Sequence, residues 1–355
     1  MKNILLFYGG NSGEHEISCI SASFIEKNLL KAGYAVFPVY VDRNSRWHLQ
    51  KKVSKISQEN QNNPVNLNLG GKKKIVCQNK EYDFDFAFSI IHGTTGEDGC
   101  LQGMFEFLNV PYAGSGVLAS SICMDKFYMR DIFSKNNIPQ VEYLRLQKDE
   151  FEKNREKAVI DILTKLKFPI FIKPCNLGSS VGVYKSKNQD ELRGDIEKAF
   201  EYDNHILCEQ GYSVREIEIS ILGNYPEYET SIAGEIIPNH EFYSYEAKYL
   251  DENGARLKTP AELTDSQFNE IQSIAKSAFA AVSGSGFARI DFFIDKETNK
   301  IMLNEINTLP GFTPVSMFPK LFDLSGKPAE VLLKEIVELG EKKFHIQNKL
   351  KRTFN

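Results

Sequence analysis

Apolar runs alternate with amphipathic stretches over the first 120 residues of the chain. This alternation predicts parallel strands joined by crossover helices. Ligands of such open sheets bind at the carboxyl ends of the strands. The strand-like runs are 3-NILLFY-8, 34-YAVFPVYV-41 and 85-DFAFSIIH-92. The loops that follow the first and the last of these runs, 9-GGNSGEHEIS-18 and 92-HGTTGEDG-99, are therefore candidate ligand-binding loops.

The pattern changes in the middle of the chain. A helix is predicted over residues 116–135, and the segment Asn137–Ile138–Pro139 ends it. The run 215-REIEISIL-222 alternates charged and aliphatic side chains, which predicts a strand with one face in water. Further strands of an antiparallel or mixed sheet are predicted at KFPIFIKP, SSVGVYKS and HILCEQGY, with a helix over 189–201.

The last part of the chain opens with an irregular stretch, residues 238–262, rich in Tyr, Glu and Lys. Thr264 and Gln267 then form a predicted capping box ahead of apolar residues at helical spacing. A hairpin follows at 288–307, and a final helix is predicted near 326–343. The polar stretch 51–71 is predicted to be an insertion or a long surface loop. These changes predict three domains, comprising residues 1–122, 123–212 and 213–347.

The hairpin 288-ARIDFFIDKETNKIMLNEIN-307 opposes two carboxylates if its turn spans 296–300. The predicted register pairs Asp295 with Ile301, Asp291 with Glu305 and Arg289 with Asn307. Directly opposed like charges repel, so Asp291 and Glu305 indicate a cation between them. Two carboxylates and an amide oxygen suit Mg²⁺ or Mn²⁺, and Arg289 could hold a phosphate through two hydrogen bonds. The alternative is an Arg–Asp surface ion pair beside an unrelated glutamate.

Weaker signals for a nucleotide lie in the middle segment. The stretch 173-KPCNLGSSVGV-183 has small residues that let backbone N–H groups approach phosphate oxygens, which predicts a flexible lid. An ordinary Gly-rich turn is the alternative. The extended chain at Glu209 could offer backbone groups to an adenine edge, and Glu216 could reach a ribose. Lys126 is an equally weak signal, and solvated charge is the alternative for all three side chains.

The remaining candidate residues lie in loops. Glu14 and Glu16 open a helix whose N-terminus attracts anions. His92 follows a buried run, where a lone histidine is more often structural than catalytic. The segment 245-YEAKY-249 lies in the longest irregular stretch of the last domain and predicts a lid with polar contacts, with disorder as the alternative.

Composition narrows the class of protein. The chain has 355 residues, of which 42% are hydrophobic and 25% charged, as in soluble globular proteins. Its net charge of -4 gives no polybasic attraction to nucleic acid or anionic lipid. Apolar runs fall short of the roughly 18 to 20 residues that span a bilayer, and MKNILLFYGG is unlike a secretory signal. Six cysteines without CxxC spacing predict reduced thiols in a cytoplasm.

Taken together, these segments resemble the D-alanine–D-alanine ligases of the ATP-grasp superfamily, in the same order and over nearly the whole chain. The resemblance rests on GGNSGEHEIS, HGTTGEDGCLQGMFEFLNVPYAGSG, MDK, KPCNLGSSVGV, CEQ with REIE, YEAKY, ARIDFF and NEINTLPGFTPVSM. It implies an α/β protein, α+β in its ATP-binding part, with the ATP-grasp fold. The three domains would be a Rossmann-like substrate domain, a central subdomain with the glycine-rich lid, and a C-terminal subdomain with the metal site and a substrate lid. ATP would lie between the last two.

The resemblance also implies a role for each matching residue. The metal ligands, for two Mg²⁺ ions or for Mn²⁺, would be Asp291, Glu305 and Asn307. The nucleotide would be bound by Lys126, Lys173, Ser179, Ser180, Glu209, Glu216 and Asn304. The catalytic residues would be Glu14, His92, Ser179, Lys248, Tyr249 and Arg289. Among them, Glu14, His92 and Arg289 also contact substrate. Gly311 and Ser316 would hold the carboxylate of the second D-alanine.

The implied reaction has two steps. ATP phosphorylates the carboxylate of one D-alanine, and the amine of a second attacks the acyl phosphate to give D-alanyl-D-alanine for peptidoglycan precursors. Lids at 176–182 and 240–256 are expected to exclude water from the acyl phosphate. Expected partners are ATP and two D-alanines, with neither nucleic acid nor membrane, in a cytoplasmic homodimer.

Other activities remain as alternatives. Related ligases make D-alanyl-D-lactate or D-alanyl-D-serine, although Tyr249 within YEAKY favours D-alanine as second substrate. Gln210 stands where many relatives carry a basic residue in the adenine hinge, which leaves that contact open. A non-catalytic nucleotide-binding regulator would require a missing metal or phosphate residue, and none of the residues that the resemblance implies is missing. A dinucleotide oxidoreductase is disfavoured because 9-GGNSGE-14 lacks GxGxxG spacing.

Overall fold

The structure, a computed structural model, describes residues 1–53, 63–67, 73–178, 180–238 and 255–351. Its strands are β1 (Asn3–Gly9), β2 (Ala35–Val41), β3 (Trp47–Leu49), β4 (Val65–Leu67), β5 (Lys74–Cys77), β6 (Lys80–Asp83), β7 (Phe86–Ser89), β8 (Tyr143–Gln147), β9 (Ile170–Pro174), β10 (Tyr184–Ser186), β11 (His205–Gln210), β12 (Val214–Asn224), β13 (Glu227–Pro238), β14 (Ala255–Lys258), β15 (Ser285–Asp295) and β16 (Ile301–Asn307). Its helices are α1 (His15–Lys31), α2 (Cys100–Phe107), α3 (Val117–Met124), α4 (Lys126–Lys135), α5 (Lys148–Lys153), α6 (Arg155–Lys165), α7 (Gln189–Ala199), α8 (Asp265–Ala281), α9 (Met317–Leu324) and α10 (Ala329–Asn348).

The N-terminal part contains the parallel sheet that the apolar pattern predicts. β1 lies between the parallel strands β2 and β7, and β3 pairs antiparallel with β2 at the edge. The two candidate loops follow β1 and β7, which are neighbours, so their ends meet at one edge of the sheet. Ser12 in the first loop donates its hydroxyl to the backbone oxygen of His92 in the second, at 2.8 Å.

The polar stretch 51–71 is only partly described. Its strand β4 pairs with β5, and β5 with β6, in a small antiparallel sheet. Residues 54–62 and 68–72 lie outside the described ranges.

The middle part forms an antiparallel sheet in the order β10-β9-β11-β8. Two predictions here are wrong in detail. The helix predicted over 116–135 is divided at Asp125, whose backbone is extended and whose carboxylate caps α4 by accepting the N–H groups of Phe127 and Tyr128. The strand predicted at SSVGVYKS begins only at Tyr184, because Ser180 and Gly182 adopt positive φ angles of 59° and 69°.

The C-terminal part is a five-stranded antiparallel sheet in the order β14-β13-β12-β15-β16. The predicted capping box of Thr264 and Gln267 is present at the start of α8. The final helix was predicted near 326–343, whereas α10 begins after Pro328 and extends to Asn348. The predicted lid loop lies mostly outside the described residues, which resume at β14.

The hairpin of β15 and β16 confirms most of its predicted register. Asp291 pairs with Glu305 and Arg289 with Asn307. The pairing of Asp295 with Ile301 is wrong, because Ile294 occupies that position and the register shifts between Asp291 and Phe292. The carboxylate of Asp295 accepts N–H groups of the turn, and the backbone N–H of Asp295 donates to the backbone oxygen of Lys300. The turn therefore ends one residue earlier than predicted. The bulge thus separates a regular outer half from the polar half of the hairpin.

The hydrophobic core beneath β1 is built from both ends of the chain. Leu6 and Phe88 of the first sheet pack in one cluster with Leu333 and Ile336 of α10. A second core lies between α8 and the apolar face of the C-terminal sheet, opposite the face that carries its polar side chains. The N-terminal loops and the polar ends of β12, β15 and β16 are thereby held against each other.

Candidate active site

A cleft of 740 Å³ lies where the N-terminal loops meet the polar face of the C-terminal sheet. Most of the predicted site residues that the structure describes line it: Glu14, His92, Lys126, Glu216, Arg289, Asp291, Asn304, Glu305, Asn307, Gly311 and Ser316. Lys173, Ser180 and Glu209 are not among the lining residues. Ser179, Lys248 and Tyr249 lie outside the described residues.

The two N-terminal loops bring a histidine and two glutamates together. The Nδ1 atom of buried His92 lies 3.2 Å from Oε1 of Glu97, which also accepts the N–H of Gly93. Burial lowers the pKa of His92, but the hydrogen bond and charge of Glu97, together with the charge of Glu14, raise it above its ordinary value. Glu97 therefore favours the protonated form of the ring and holds its orientation at the edge of the cleft.

The polar half of the hairpin is an ion-pair cluster. Arg289 donates Nε and Nη2 to the two oxygens of Asp291, at 2.7 Å each. The same Nε lies 3.2 Å from Oε2 of Glu218 on β12. Although burial opposes its charge, the carboxylates of Asp291 and Glu218 raise the pKa of Arg289, so the guanidinium stays charged. The arginine predicted to bind phosphate thus also forms the Arg–Asp ion pair that was the alternative interpretation of this hairpin.

The hairpin also carries the oxygen atoms predicted for metal binding. Asp291 and Glu305 are directly opposed, and Asn307 follows two residues later on the same face. Within the described ranges, no group of three His, Cys, Asp or Glu residues is placed to hold a metal ion. The predicted set has two carboxylates and an amide, and such hard oxygen donors fit Mg²⁺, which takes its remaining ligands from phosphate and water. The residues present therefore fit the ion, provided that Arg289 gives up part of its contact with Asp291.

Glu209 lies in a buried charge triad behind the cleft. Arg130 donates Nε and Nη2 to its Oε1 atom at 3.0 and 2.6 Å, and Lys173 lies 2.6 Å from Oε2. Burial raises the pKa of Glu209, but the charges of Arg130 and Lys173 lower it to about 2. Both carboxylate oxygens are thus engaged by protein groups, and the backbone of this segment is what remains for an adenine edge. Arg130 also donates to the backbone oxygen of Leu303, which joins the triad to β16.

Lys126 reaches the cleft from the break between two helices. It is the first residue of α4, directly after the cap Asp125. Its ammonium group donates to the backbone oxygen of Leu177 at 2.6 Å, next to Gly178 of the glycine-rich segment. The start of α4 is therefore tied to the predicted lid, and both line the cleft.

The far end of the cleft is formed by the segment that precedes α9. The hydroxyl of Ser316, the residue before α9, accepts the N–H of Thr313 at 3.0 Å and lies 2.7 Å from its hydroxyl. A Cβ atom at Gly311 would lie 2.9 Å from the Ser316 hydroxyl, so a side chain there would crowd it. The N–H groups at the start of a helix favour an anionic group such as a carboxylate.

The sequence alone does not assign three residues of this region. Glu97 lies in the loop 92–99 without a signal that distinguishes it, whereas Glu218 stands two residues after Glu216 on the same strand face, a spacing that could have revealed it. Arg130 gave no local signal, since its partner Glu209 is 79 residues away.

None of the helices in the described ranges has the length and apolarity that a membrane-spanning segment needs.

Comparison with known proteins agrees with this architecture. The family model described as "D-ala D-ala ligase N-terminus" matches residues 3–115, and that described as "D-ala D-ala ligase C-terminus" matches residues 132–338. The D-alanine–D-alanine ligase of Treponema denticola is 41% identical over 364 residues, which cover 98% of each chain. That of Thermoanaerobacter sp. (strain X514) is 40% identical over 348 residues, 96% of each chain.

Solved structures give the same result. The D-alanine-D-alanine ligase of Coxiella burnetii superimposes with a TM-score of 0.85 at 34% identity, covering 98% of this chain and 96% of that one. The VanG D-Ala:D-Ser ligase of Enterococcus faecalis also gives 0.85, at 29% identity, covering 96% of this chain and 99% of its own. These similarities extend over nearly the whole chain and show the ATP-grasp fold. The chain therefore belongs to the D-alanine–D-alanine ligase family.

Proposed function

We propose that the cleft joins two D-alanines to D-alanyl-D-alanine at the expense of ATP, through a D-alanyl phosphate, for peptidoglycan precursor synthesis. Family membership over the full chain supports this ligase activity and its dependence on ATP. The observation that carries the proposal is the convergence of Glu14 and His92 from the N-terminal loops with Arg289, Asp291 and Glu305 from the C-terminal sheet.

The hairpin is the proposed metal and phosphate site. Asp291, Glu305 and Asn307 would hold two Mg²⁺ ions, or Mn²⁺, which when bound neutralise phosphate charge and act as Lewis acids. Arg289 would steady the transferred phosphoryl group, because a guanidinium matches phosphate oxygens in geometry and charge. Phosphoryl transfer depends mainly on positioning and charge neutralisation, which these side chains provide.

The other proposed roles follow the cleft from the nucleotide to the second substrate. Lys126 and Lys173 would bind the α- and β-phosphates, with Ser179 and Ser180 in the lid over them and Lys248 near the γ-phosphate. Glu209 and Glu216 would contact adenine and ribose, Glu209 through its backbone, and Asn304 would also bind the nucleotide. Glu14 would anchor the ammonium group of the first D-alanine beside His92, with Ser179 and Tyr249. Gly311 and Ser316 would receive the carboxylate of the second D-alanine at the start of α9.

The division into three domains, 1–122, 123–212 and 213–347, is part of the same proposal, as are a homodimer and a cytoplasmic location. Sedimentation equilibrium of the purified chain checks the dimer. Limited proteolysis with and without ATP checks whether cleavage falls near residues 122 and 212.

Product formation tests the activity. Purified protein with Mg-ATP should release ADP and phosphate only when D-alanine is added, and chromatography should show the dipeptide. Absence of D-alanine-dependent ADP release would refute the proposal. D-Serine and D-lactate belong in the same assay with limiting D-alanine, because the structural similarity to a D-Ala:D-Ser ligase favours D-serine as a second candidate.

The metal site has its own test. Glu305→Gln should nearly abolish turnover while leaving the circular dichroism spectrum unchanged, since it removes charge but little volume. Mg²⁺-dependent turnover at the unsubstituted rate would show that the opposed carboxylates are structural.

A further inference from the structure

Glu218 is a third carboxylate on the face of the proposed metal site, and the roles above leave it without a function. On β12 it pairs in register with Asp291 of β15, which in turn pairs with Glu305 of β16. Three carboxylates therefore stand in a row across three adjacent strands. Glu218 is buried, with 5% of its surface exposed, and it lines the cleft. Neighbouring like charges at such spacing are unfavourable, so this row requires positive charge.

Arg289 supplies positive charge to this row in the present structure. Its Nε and Nη2 atoms engage both oxygens of Asp291, and Nε also lies 3.2 Å from Glu218. The guanidinium thus bridges the first and second carboxylates of the row. Because the guanidinium donates to Asp291 and lies within ion-pair distance of Glu218, a small rotation of the side chain can move its Nε–H from one carboxylate to the other.

Metal binding and this ion pair compete for the same atoms. Both oxygens of Asp291 accept hydrogen bonds from Arg289, whereas a ligand of Mg²⁺ must direct an oxygen lone pair to the ion. Each of these oxygens keeps a second lone pair, but the guanidinium charge beside them repels a cation at the same carboxylate. The ion should therefore bind better when Arg289 releases part of its contact with Asp291. A half-buried guanidinium that loses its counter-ion is unfavourable, and this cost would oppose metal binding.

We propose that Glu218 is a positioning residue that retains Arg289 when Asp291 turns to the metal. Glu218 keeps the guanidinium on the cleft face, where the transferred phosphoryl group would lie, and leaves Asp291 available to the ion. This inference rests on the proposed metal role of Asp291. A purely structural carboxylate, or a further metal ligand, would not act through Arg289, and this difference can be measured.

The experiment is a double-mutant cycle read out by Mn²⁺ binding in the presence of ADP, with electron paramagnetic resonance of the free ion. The four proteins are the unsubstituted full chain, Glu218→Gln, Arg289→Ala and the double variant. Glu218→Gln should raise the dissociation constant of Mn²⁺ about tenfold, because Arg289 then competes for Asp291 without a second carboxylate. In the Arg289→Ala background the same substitution should change it by less than about twofold.

Two outcomes would overturn the inference. Equal weakening of Mn²⁺ binding in both backgrounds would mean that Glu218 acts on the ion directly, and no weakening in either would mean that it is structural. Asp291→Asn distinguishes failure of this inference from failure of the proposed metal site. Unchanged Mn²⁺ binding in that variant would show that Asp291 is not a metal ligand, and the role proposed for Glu218 would then fail as well.

A matched control accounts for loss of a buried acid. Glu235 is 8% exposed and pairs with Arg215 at 2.8 and 2.7 Å. It stands opposite Ile217, on the face of the sheet that points away from Glu216 and Glu218. Glu235→Gln should lower stability to urea yet leave Mn²⁺ binding unchanged. Glu218→Asp keeps the charge but shortens the reach to Arg289. It should show the same dependence on Arg289, and it maintains the test if Glu218→Gln does not fold.

Discussion

Replacement of Arg130 by methionine should destabilise the protein through a single buried carboxylate. Arg130 is 2% exposed and its guanidinium holds Glu209, whose other oxygen is held by Lys173. Methionine fills much of the same volume but leaves Glu209 with one cation and the backbone oxygen of Leu303 without its donor. Removing one partner of a buried ion pair typically costs about 3–5 kcal/mol.

The pKa of Glu209 gives an independent figure. It falls from an ordinary value of 4.5 to about 2. Since a pKa difference of one corresponds to about 1.4 kcal/mol, the two cations together, with burial opposing them, give the ionised form a net stabilisation of about 3 kcal/mol. Because Lys173 stays in place, Arg130→Met removes only part of this stabilisation, but it leaves a buried carboxylate without its main partner. We therefore expect a loss of about 3 kcal/mol in the free energy of unfolding at neutral pH.

The pH dependence carries a definite sign. A carboxylate whose folded pKa is depressed contributes stability above its unfolded pKa and loses it as the pH falls towards its folded pKa. The difference between the unsubstituted chain and Arg130→Met should therefore be full above about pH 4.5 and shrink towards pH 2.

Urea unfolding followed by tryptophan fluorescence and circular dichroism measures the loss. Arg155→Met is the matched control, because Arg155 pairs with Glu197 on the surface, where the two side chains are 58% and 53% exposed. Exposed pairs contribute about 0–1 kcal/mol. If the two variants lose equal stability, or if the loss in Arg130→Met does not shrink in acid, the triad does not stabilise the fold as argued.

Three further substitutions, one of them with a matched control, test other parts of the structure. Glu97→Gln should lower the pKa of His92, because Glu97 raises it, and a proton NMR titration of the ring would contradict this if the pKa stayed constant. Asp125→Ala removes the acceptor for two N–H groups at the start of α4 and should cost about 1 kcal/mol of unfolding free energy, while weakening ATP binding in calorimetry. Gly286→Ala should cost at least about 2 kcal/mol in urea unfolding, because φ is +76° and a Cβ would lie 2.8 Å from the Cα of Gly114. Gly194→Ala in α7 meets nothing within 4 Å and should be neutral or stabilising, and equal losses for both glycines would contradict the steric argument.

The sequence predicted those features whose cause is local. Strand periodicity and the position of the turn were enough to pair Asp291 with Glu305, and the spacing of Thr264 and Gln267 was enough for the capping box. The bulge beyond Asp291 was missed because it depends on how the turn at Asp295 closes, which alternation alone does not determine. The break at Asp125 was missed for a related reason, since helical spacing continues across it while the side chain caps a new helix.

Features that depend on distant partners could not be predicted in this way. In the sequence, Arg130 looks like any charged residue of a helix. Its partners Glu209 and Leu303 are distant along the chain, and only the fold brings them into contact with it. The resemblance to the ligase family gave a role to Arg289 but none to Glu218, which becomes visible when β12 is placed beside β15. The family and the ATP-grasp fold are confirmed, whereas the roles of individual site residues stay predictions.

The shared core of the two chain ends has a consequence for synthesis on the ribosome. Leu6 and Phe88 lie in one cluster with Leu333 and Ile336, and Lys2 forms an ion pair with Glu341 at 2.5 Å. The first sheet is thus translated well before the helix that covers one of its faces. Because domains generally fold as units in order of synthesis, we expect this sheet to expose apolar surface until that helix has emerged. Nascent chains that stop before Leu332 should therefore depend on holding chaperones more than the finished protein does.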